Sequence, residues 1–307
     1  MLQLLLFILL IFCFLLGMFW LKSGLYNMAG ERMRDLISRW TDAPWKGFVI
    51  GIAVTAILQS SSAVMVLTIG FVSAGILTFR QSIGIILGTN IGTTLTLEII
   101  SMDIGFLSLP LVICSVFLLI LPYRNTRPLA LSLLGLSLIF VCMRGFEELA
   151  APLAGQDFTH ALMESSNSSA FFSVLLGVIL TGLIQSSTVI TGIAMSFADA
   201  GIINIFAGIA IMLGANIGTC VTSYIAGIGS GRTTKMTVYA HIWLNVFGVL
   251  AFFPFIEELG RLVAAAAQSP ELQLAHASLV FNVICSIIVL PFSGLFAKMI
   301  EHLHGKG

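Results

Sequence analysis

The amide and hydroxyl side chains of this sequence are concentrated in two copies of one pattern. Gln59-Ser60-Ser61-Ser62 recurs 126 residues later as Gln185-Ser186-Ser187-Thr188. The same offset relates residues 88–94 to residues 214–220, and both segments contain Asn-Ile-Gly-Thr. Amides and hydroxyls hydrogen-bond to anions, and their oxygens are the hard ligands that sodium prefers. The two motifs therefore predict a binding site for small ions.

The two copies belong to an internal repeat. Of the 46 positions from Gly51 to Thr96, 18 are identical to their partners 126 residues later, without a gap. Shared apolar composition rarely preserves Gln, Ser, Asn and Gly in register, so the chain contains a duplication. We predict a first repeat at residues 1–127 and a second at residues 128–256. Residues 257–307 are expected to add one C-terminal transmembrane helix and a short tail.

The composition places these repeats in a lipid bilayer. Hydrophobic residues make up 58% of the chain and charged residues 9%, and the mean hydropathy is +1.06. Uncharged apolar runs such as residues 2–21, 236–255 and 277–296 are long enough for a helix to cross a bilayer. This composition excludes a soluble domain and a disordered chain. We predict an all-α polytopic membrane protein, in which the first run is a retained helix because no basic residue precedes Lys22.

No cofactor or nucleic-acid partner is indicated. The 14 basic and 14 acidic residues cancel, so there is no basic excess for nucleic acid. The cysteines lie in or beside apolar runs without Cys-x-x-Cys spacing, which argues against disulfides and zinc: Cys13, Cys114, Cys142, Cys220 and Cys285. The ion for which the sequence does supply ligands is sodium, through the hydroxyl and amide oxygens of the two motifs.

The basic residues predict how the chain is oriented, because they favour the cytoplasmic side of a membrane. Twelve of the 14, all except Arg144 and Arg261, occur at Lys22, Arg32, Arg34, Arg39, Lys46, Arg80, Arg124, Arg127, Arg232, Lys235, Lys298 and Lys306. Placing these inside leaves the acidic stretches 147–164 and 257–271 outside. The N-terminus is then outside and the C-terminus cytoplasmic, and the repeats enter from opposite sides. Inverted repeats around a central binding site are typical of secondary transporters.

Each repeat contains two unusual predicted elements. Residues 45–77 and 171–197 are apolar around a polar centre, which predicts re-entrant helical hairpins whose polar tips meet away from lipid. Residues 82–100 and 201–228 are predicted to be transmembrane helices broken at Gly-x-Asn-Ile-Gly-Thr. A break would present backbone N–H groups to an anion and carbonyl groups to a cation. Because the repeats are predicted to be inverted, we expect alternating access, with the hairpins and broken helices moving against the remaining helices.

At these residues the chain resembles the type II sodium/phosphate cotransporter family, in which each half carries Gln-Ser-Ser-Ser followed by Gly-x-Asn-Ile-Gly-Thr. The resemblance covers most of the chain and implies sodium-driven symport of inorganic phosphate across the bacterial inner membrane. The implied phosphate ligands are Gln59, Ser60, Ser61, Asn90, Gln185, Ser186, Ser187 and Asn216. The implied sodium ligands are Gln59, Ser62, Asn90, Thr93, Gln185, Thr188, Asn216 and Thr219.

The sequence departs from the family pattern in two respects. His241 precedes Asn245 by four residues, as in bacterial members, but His276 precedes Asn282 by six, and Ser278 takes the family position. We predict that both histidines are packed structural residues. Many bacterial relatives carry a C-terminal PhoU-like domain, whereas this chain ends at Gly307, so regulation through that domain is not expected in this polypeptide.

Several alternatives stay open. A phosphate exporter, a sodium-coupled transporter of another oxyanion and a passive anion channel would all fit these membrane elements. An intramembrane serine hydrolase would need His241 or His276 as base, and no Gly-x-Ser-x-Gly elbow is present. Glu98 lies within a predicted broken helix, and two interpretations of it stay open. It either takes part in coupling to a cation or a proton, or it lies at the membrane interface without a role in transport. The oligomeric state is also open, a homodimer included.

Overall fold

The computed structural model describes residues 2–102, 105–121 and 126–305, and every regular element within these ranges is helical. The all-α prediction is therefore confirmed for the described part of the chain. Arg124 and Lys306, which contributed to the predicted orientation, lie outside the described residues.

Fifteen α-helices are present in these ranges. The first seven are α1 (Leu2–Arg39), α2 (Pro44–Leu58), α3 (Ser61–Ser73), α4 (Phe79–Ser101), α5 (Ser108–Ile120), α6 (Thr126–Ala154) and α7 (Asp157–Ser168). The others are α8 (Ala170–Ile184), α9 (Ser187–Asp199), α10 (Ile205–Gly218), α11 (Cys220–Ala226), α12 (Arg232–Phe252), α13 (Ile256–Ala266), α14 (Pro270–Val289) and α15 (Ser293–His304). Short 3₁₀ helices occupy Gly105–Leu107, Phe253–Phe255 and Leu290–Phe292.

Six helical stretches in the described part are long and apolar enough to cross a membrane: Leu2–Arg39, Phe79–Ser101, Thr126–Ala154, Ile205–Ala226, Arg232–Ala266 and Pro270–His304. Large apolar side chains on them face outward, as Leu5 does with 61% of its surface exposed. Hydrocarbon accepts such surfaces, and helices satisfy their own backbone hydrogen bonds within it. The chain is a multi-pass integral membrane protein.

The two predicted hairpins are helix pairs joined by a two-residue turn. In the first hairpin α2 ends at Leu58 and α3 begins at Ser61, and in the second α8 ends at Ile184 and α9 begins at Ser187. We call α2 and α8 the first arms of the hairpins, and α3 and α9 their second arms. The first arms have 15 residues each and span about 22 Å, which is less than the thickness of the hydrocarbon core of a bilayer. Each arm is thus too short to cross alone, which favours the predicted re-entrant arrangement.

The turn of each hairpin contains a glutamine in the left-handed helical conformation. Gln59 has φ 52° and ψ 32°, and Gln185 has φ 57° and ψ 29°. In the described part of the chain these are the non-glycine residues with positive φ. A side chain there costs about 1–2 kcal/mol, so both copies maintain an unfavourable conformation at the same position of the motif.

The helix that follows the first hairpin is continuous, so the predicted break in residues 82–100 is wrong. α4 is helical from Phe79 to Ser101. The hydroxyl of Thr93 donates to the carbonyl of Thr89 within the same helix at 2.8 Å, and a helix-interior glycine costs only about 1 kcal/mol. In the second repeat the interruption is one residue, Thr219, which keeps helical angles of φ −62° and ψ −22°.

The glycines of these helices serve close packing instead. A Cβ atom added at Gly88 would lie 2.2 Å from the Phe48 carbonyl oxygen, and one added at Gly214 would lie 2.0 Å from that of Val174. These two contacts are equivalent, because Gly214 and Val174 lie 126 residues after Gly88 and Phe48. The contact of Gly51 with Ile85 is repeated in the same way by that of Gly177 with Ile211. α2 therefore packs on α4 as α8 packs on α10, while the inverted orientation of the two copies stays a prediction.

In the C-terminal segment α13 ends the apolar stretch Arg232–Ala266, and α14 and α15 form one further stretch, Pro270–His304, that is long enough to cross a membrane. The predicted single C-terminal transmembrane helix stays a prediction. α15 packs against α12, because Trp243 Nε1 donates to His304 Nε2 at 2.9 Å and the ring of Tyr239 stacks on His304. Glu301 of α15 also pairs with Arg80 at 3.3 Å. The C-terminal helix is thereby attached to both repeats.

Candidate functional site

The second arms of the hairpins connect the two repeats. α3, which begins at the first tip, contacts α11 and α12 of the second repeat. α9, which begins at the second tip, contacts α4 of the first repeat as well as α6. The first arms pack mainly within their own repeat, α2 on α4 and α8 on α10, and the second arms also contact α4 and α10 of their own repeats. The two tips therefore give rise to helices that lie against both copies.

Opposite helix ends meet at each tip. The carbonyl groups of the last turn of α2 and the N–H groups of the first turn of α3 lie on either side of Gln59, and such ends attract cations and anions respectively. The Gln59 amide donates to the Ala56 carbonyl, and the Ser60 hydroxyl accepts from the N–H of Ala63 at 3.2 Å. Ser186 makes no such cap, which leaves more of the α9 N-terminus open to an anion.

The two motif asparagines have different partners. Asn90 Nδ2 donates to Asn245 Oδ1 at 3.3 Å, and Asn245 Nδ2 donates to the His241 carbonyl at 2.9 Å. Asn216 Nδ2 donates within its own helix, to the Met212 carbonyl at 2.9 Å. The first asparagine is thus oriented by α12, whereas the second is oriented by α10 alone.

The prediction that His241 is a packed structural residue is confirmed. It is 4% exposed, and its Nδ1 lies 2.9 Å from the Ser223 hydroxyl. Since its carbonyl accepts from Asn245, which itself accepts from Asn90, His241 supports both α11 and the asparagine of α4. Its contribution to the site is through positioning.

The predicted ligands differ in how accessible they are. Residues 85–92 of α4 are buried except for Asn90, and residues 207–215 of α10 are buried up to Asn216. Gln185 is exposed, Ser60 and Thr188 are buried, and the other predicted ligands are intermediate: Gln59, Ser61, Ser62, Thr93, Ser186, Ser187 and Thr219. Among the described residues no side-chain hydrogen bond joins one hairpin tip to the other. That the two tips form a single binding site therefore stays a prediction.

Comparison with known proteins identifies the family. The sequence model of the Na+/Pi-cotransporter family matches residues 13–148 and 143–268, one match for each repeat. The chain belongs to the Na+/Pi-cotransporter family. Phosphate transport is the activity that this membership supports, and a transporter rather than an enzyme is the class of protein it indicates.

Similar proteins of this family come from bacteria and animals. YqeW of Bacillus subtilis, an uncharacterized protein, is 40% identical over 96% of both chains. YjbB of Salmonella typhimurium, whose name proposes inorganic phosphate export, is 23% identical over 92% of this chain. This chain spans 52% of YjbB, about half its length. Sodium-dependent phosphate transport protein 2B of Homo sapiens is 34% identical over 40% of this chain and 19% of its own length. No solved structure matches the sequence.

A side-chain contact that the sequence analysis missed joins Glu98, on the same helix as Asn90, to His276 of α14. His276 Nδ1 is 3.0 Å from Glu98 Oε1, and the two side chains are 32% and 17% exposed. The prediction that His276 is purely a packing residue is therefore incomplete, because it partners an acidic side chain of α4. No sequence signal could have found this pair, since 178 residues separate its members.

We expect the Glu98–His276 contact to stabilise this Na+/Pi-cotransporter family member by attaching α14 to α4. A double-mutant cycle of Glu98→Ala and His276→Ala, followed by thermal unfolding in detergent, should give a coupling free energy of about 1 kcal/mol. The exposed pair Glu257–Arg261 is the matched control, for which coupling should stay below about 0.5 kcal/mol. Additive effects of the two α4–α14 substitutions would contradict the expectation.

A cavity of about 480 Å³ lies apart from the hairpin tips, between the ends of α4 and α9, the start of α14 and the C-terminal half of α6. Its lining includes Ser101, Arg144, Asp199 and Glu271 and none of the predicted ligands. Because most of its charged groups are acidic, it is a poor candidate for binding phosphate.

Proposed function

We propose that this protein is a secondary active transporter that couples sodium to inorganic phosphate in the bacterial inner membrane. The observation that carries the proposal is the pair of hairpins, in which Gln59 and Gln185 adopt the same left-handed turn between two helix ends. Such a tip offers carbonyl groups to sodium and N–H groups to phosphate within one turn. Membership of the family and the sodium-dependent relative support the choice of ions.

The proposed site binds phosphate without a basic side chain. No Lys or Arg occurs from residue 47 to residue 79 or from residue 145 to residue 231. The anion would be held by amides, hydroxyls and helix N-termini, and sodium ions beside it would supply the positive charge. Moving phosphate alone against an interior-negative potential costs about 2.3 kcal/mol per charge per 100 mV. Sodium removes that cost and adds its own gradient.

Our assignment of ligands is the one that the family resemblance implies. Phosphate is assigned to Gln59, Ser60, Ser61, Asn90, Gln185, Ser186, Ser187 and Asn216. Sodium is assigned to Gln59, Ser62, Asn90, Thr93, Gln185, Thr188, Asn216 and Thr219. The hydroxyls of Thr93 and Thr219 donate to carbonyls of their own helices, which leaves oxygen lone pairs for a cation. The site would open to either side in turn by alternating access.

Proteoliposomes test this proposal. Purified protein reconstituted at a known orientation should accumulate radiolabelled phosphate when sodium is higher outside, and not when choline replaces sodium. Excess unlabelled sulfate should leave the uptake unchanged. Phosphate accumulation that ignores the sodium gradient would overturn sodium coupling.

Export is a second candidate, because the name of YjbB proposes it. The same proteoliposomes, loaded with phosphate, distinguish the two directions. A symporter releases the loaded phosphate only when sodium is present inside with it, whereas a sodium-independent exporter releases phosphate in choline as well. Efflux that is equally fast in both media would favour the exporter.

A further inference from the structure

Two buried threonine hydroxyls in the hairpins have no hydrogen-bond partner. In the described part of the chain the buried side-chain polar atoms without a partner are Thr55 Oγ1, Ser166 Oγ, Thr181 Oγ1, Thr222 Oγ1 and Asn282 Oδ1. Thr55 and Thr181 differ by 126 residues and are therefore the same position in the two repeats. Both side chains are 0% exposed.

This state is unusual for a helical threonine. The hydroxyl normally donates to a carbonyl three or four residues earlier, as Thr68 does to Val64 and Thr93 does to Thr89, both at 2.8 Å. A buried hydroxyl without a partner is costly, above all in a membrane where water cannot replace the lost bond. Its occurrence at the same position of both repeats indicates that the two hydroxyls have a common use.

The two threonines lie where a cation is favoured. Each occupies the last turn of a first arm, four residues before the left-handed glutamine, and the C-terminal end of a helix carries partial negative charge. Each also packs against the Asn-Ile-Gly-Thr segment of the next helix. A Cβ atom added at Gly92 would lie 2.6 Å from that of Thr55, and one at Gly218 would lie 2.5 Å from that of Thr181.

The chemistry of this location is that of hard oxygen atoms. A threonine hydroxyl, helix carbonyl groups and the threonine that follows Gly92 or Gly218 supply neutral oxygens, which suit sodium. Several neutral oxygens can together bind sodium. A carboxylate is not required here, because the phosphate bound nearby would supply the negative charge. The neighbouring Thr93 and Thr219 donate their own hydrogens to helix carbonyls and so present lone pairs.

We propose that Thr55 and Thr181 are sodium ligands, one in each repeat, between the last turn of the first hairpin arm and the Asn-Ile-Gly-Thr segment. This inference rests on the proposed sodium-coupled function and adds two ligands that lie outside the Gln-Ser-Ser motif. It also assigns one sodium position to each repeat.

The sodium dependence of phosphate uptake tests the proposal. Thr55→Val and Thr181→Val keep the shape of the side chain and remove its hydroxyl, so each should raise the half-saturating sodium concentration about tenfold. Thr55→Ser and Thr181→Ser keep the hydroxyl and should stay within about twofold of the wild type. Thr68→Val is the matched control, because Thr68 is equally buried in the first hairpin but its hydroxyl is paired within the helix.

Thermal unfolding in detergent gives a readout that does not depend on transport. Replacing choline chloride by sodium chloride should raise the Tm of the wild type and of Thr68→Val. The double variant Thr55→Val/Thr181→Val should have a higher Tm than the wild type without sodium, since two unpaired hydroxyls are gone, and should lose the sodium-dependent rise.

The outcomes separate this inference from the proposed function. A wild type whose uptake and Tm ignore sodium would overturn the sodium-coupled function itself. A wild type that responds to sodium, together with valine variants that keep the same half-saturating sodium concentration, would overturn only the assignment of the two threonines. A change confined to the KM for phosphate would overturn that assignment as well.

Discussion

Replacing Gln59 or Gln185 with alanine is expected to lower sodium-dependent phosphate uptake by about 100-fold or more, which corresponds to about 2.7 kcal/mol. Each amide lies at the turn between two helix ends, where it can contact both ions at once. Under the proposed assignment, its loss removes hydrogen bonds to a charged ligand. Initial rates of radiolabelled phosphate uptake, corrected for the amount of reconstituted protein, measure the effect.

Backbone strain must be separated from the loss of the amide. Alanine at a positive φ keeps the cost of the left-handed conformation, whereas glycine relieves it. Gln59→Gly and Gln185→Gly should therefore unfold at a temperature equal to or above that of the wild type and still lose uptake. Gln81→Ala, which removes only a capping-box amide at the start of α4, should keep uptake. Normal transport by both glycine variants would eliminate the glutamine amides as ligands.

Substituting alanine for Gly88 or Gly214 is expected to prevent formation of the folded protein. The new methyl group would lie 2.2 Å or 2.0 Å from a backbone carbonyl oxygen of the packed first arm, and neither helix can move without separating the pair. The cost of such overpacking exceeds about 3 kcal/mol and is large against the stability of a typical fold. Monodisperse yield and Tm in detergent are the quantities to measure.

Gly70 provides the matched control for this prediction. It lies in α3 of the first hairpin, and a Cβ atom added there meets no atom within 4 Å. Gly70→Ala should therefore fold with wild-type yield and gain a little stability from the helix propensity of alanine. If Gly214→Ala were recovered with the same yield and Tm as Gly70→Ala, the close packing of α8 on α10 would be disproved.

The hairpins could be predicted from sequence because their signal is local and duplicated. A polar tetrad at the centre of an apolar stretch, seen twice at one offset, leaves few arrangements in a bilayer. The left-handed turn at Gln59 and Gln185 could not be predicted, because glutamine has no preference for positive φ. The turn follows from how the two arms pack, which the sequence pattern does not encode directly.

The break in α4 was wrongly predicted because the same residues have two uses. Glycine and asparagine weaken a helix, but at Gly88 and Gly92 the missing side chain admits the neighbouring first arm, and packing outweighs propensity. The long-range partners of the candidate site were also beyond sequence reasoning. Glu98 meets His276, and Asn90 meets Asn245, only because α4 lies beside both α12 and α14.

The contacts of α3 and α9 with the other repeat bear on how such a protein could arise. A chain with a single repeat could make these contacts only with a second copy of itself. Fusion of two copies turns that dimer contact into an intramolecular one with a high effective concentration. Once fused, the copies no longer had to remain identical, and the differences between Ser62 and Thr188 and between Thr94 and Cys220 are what that freedom permits.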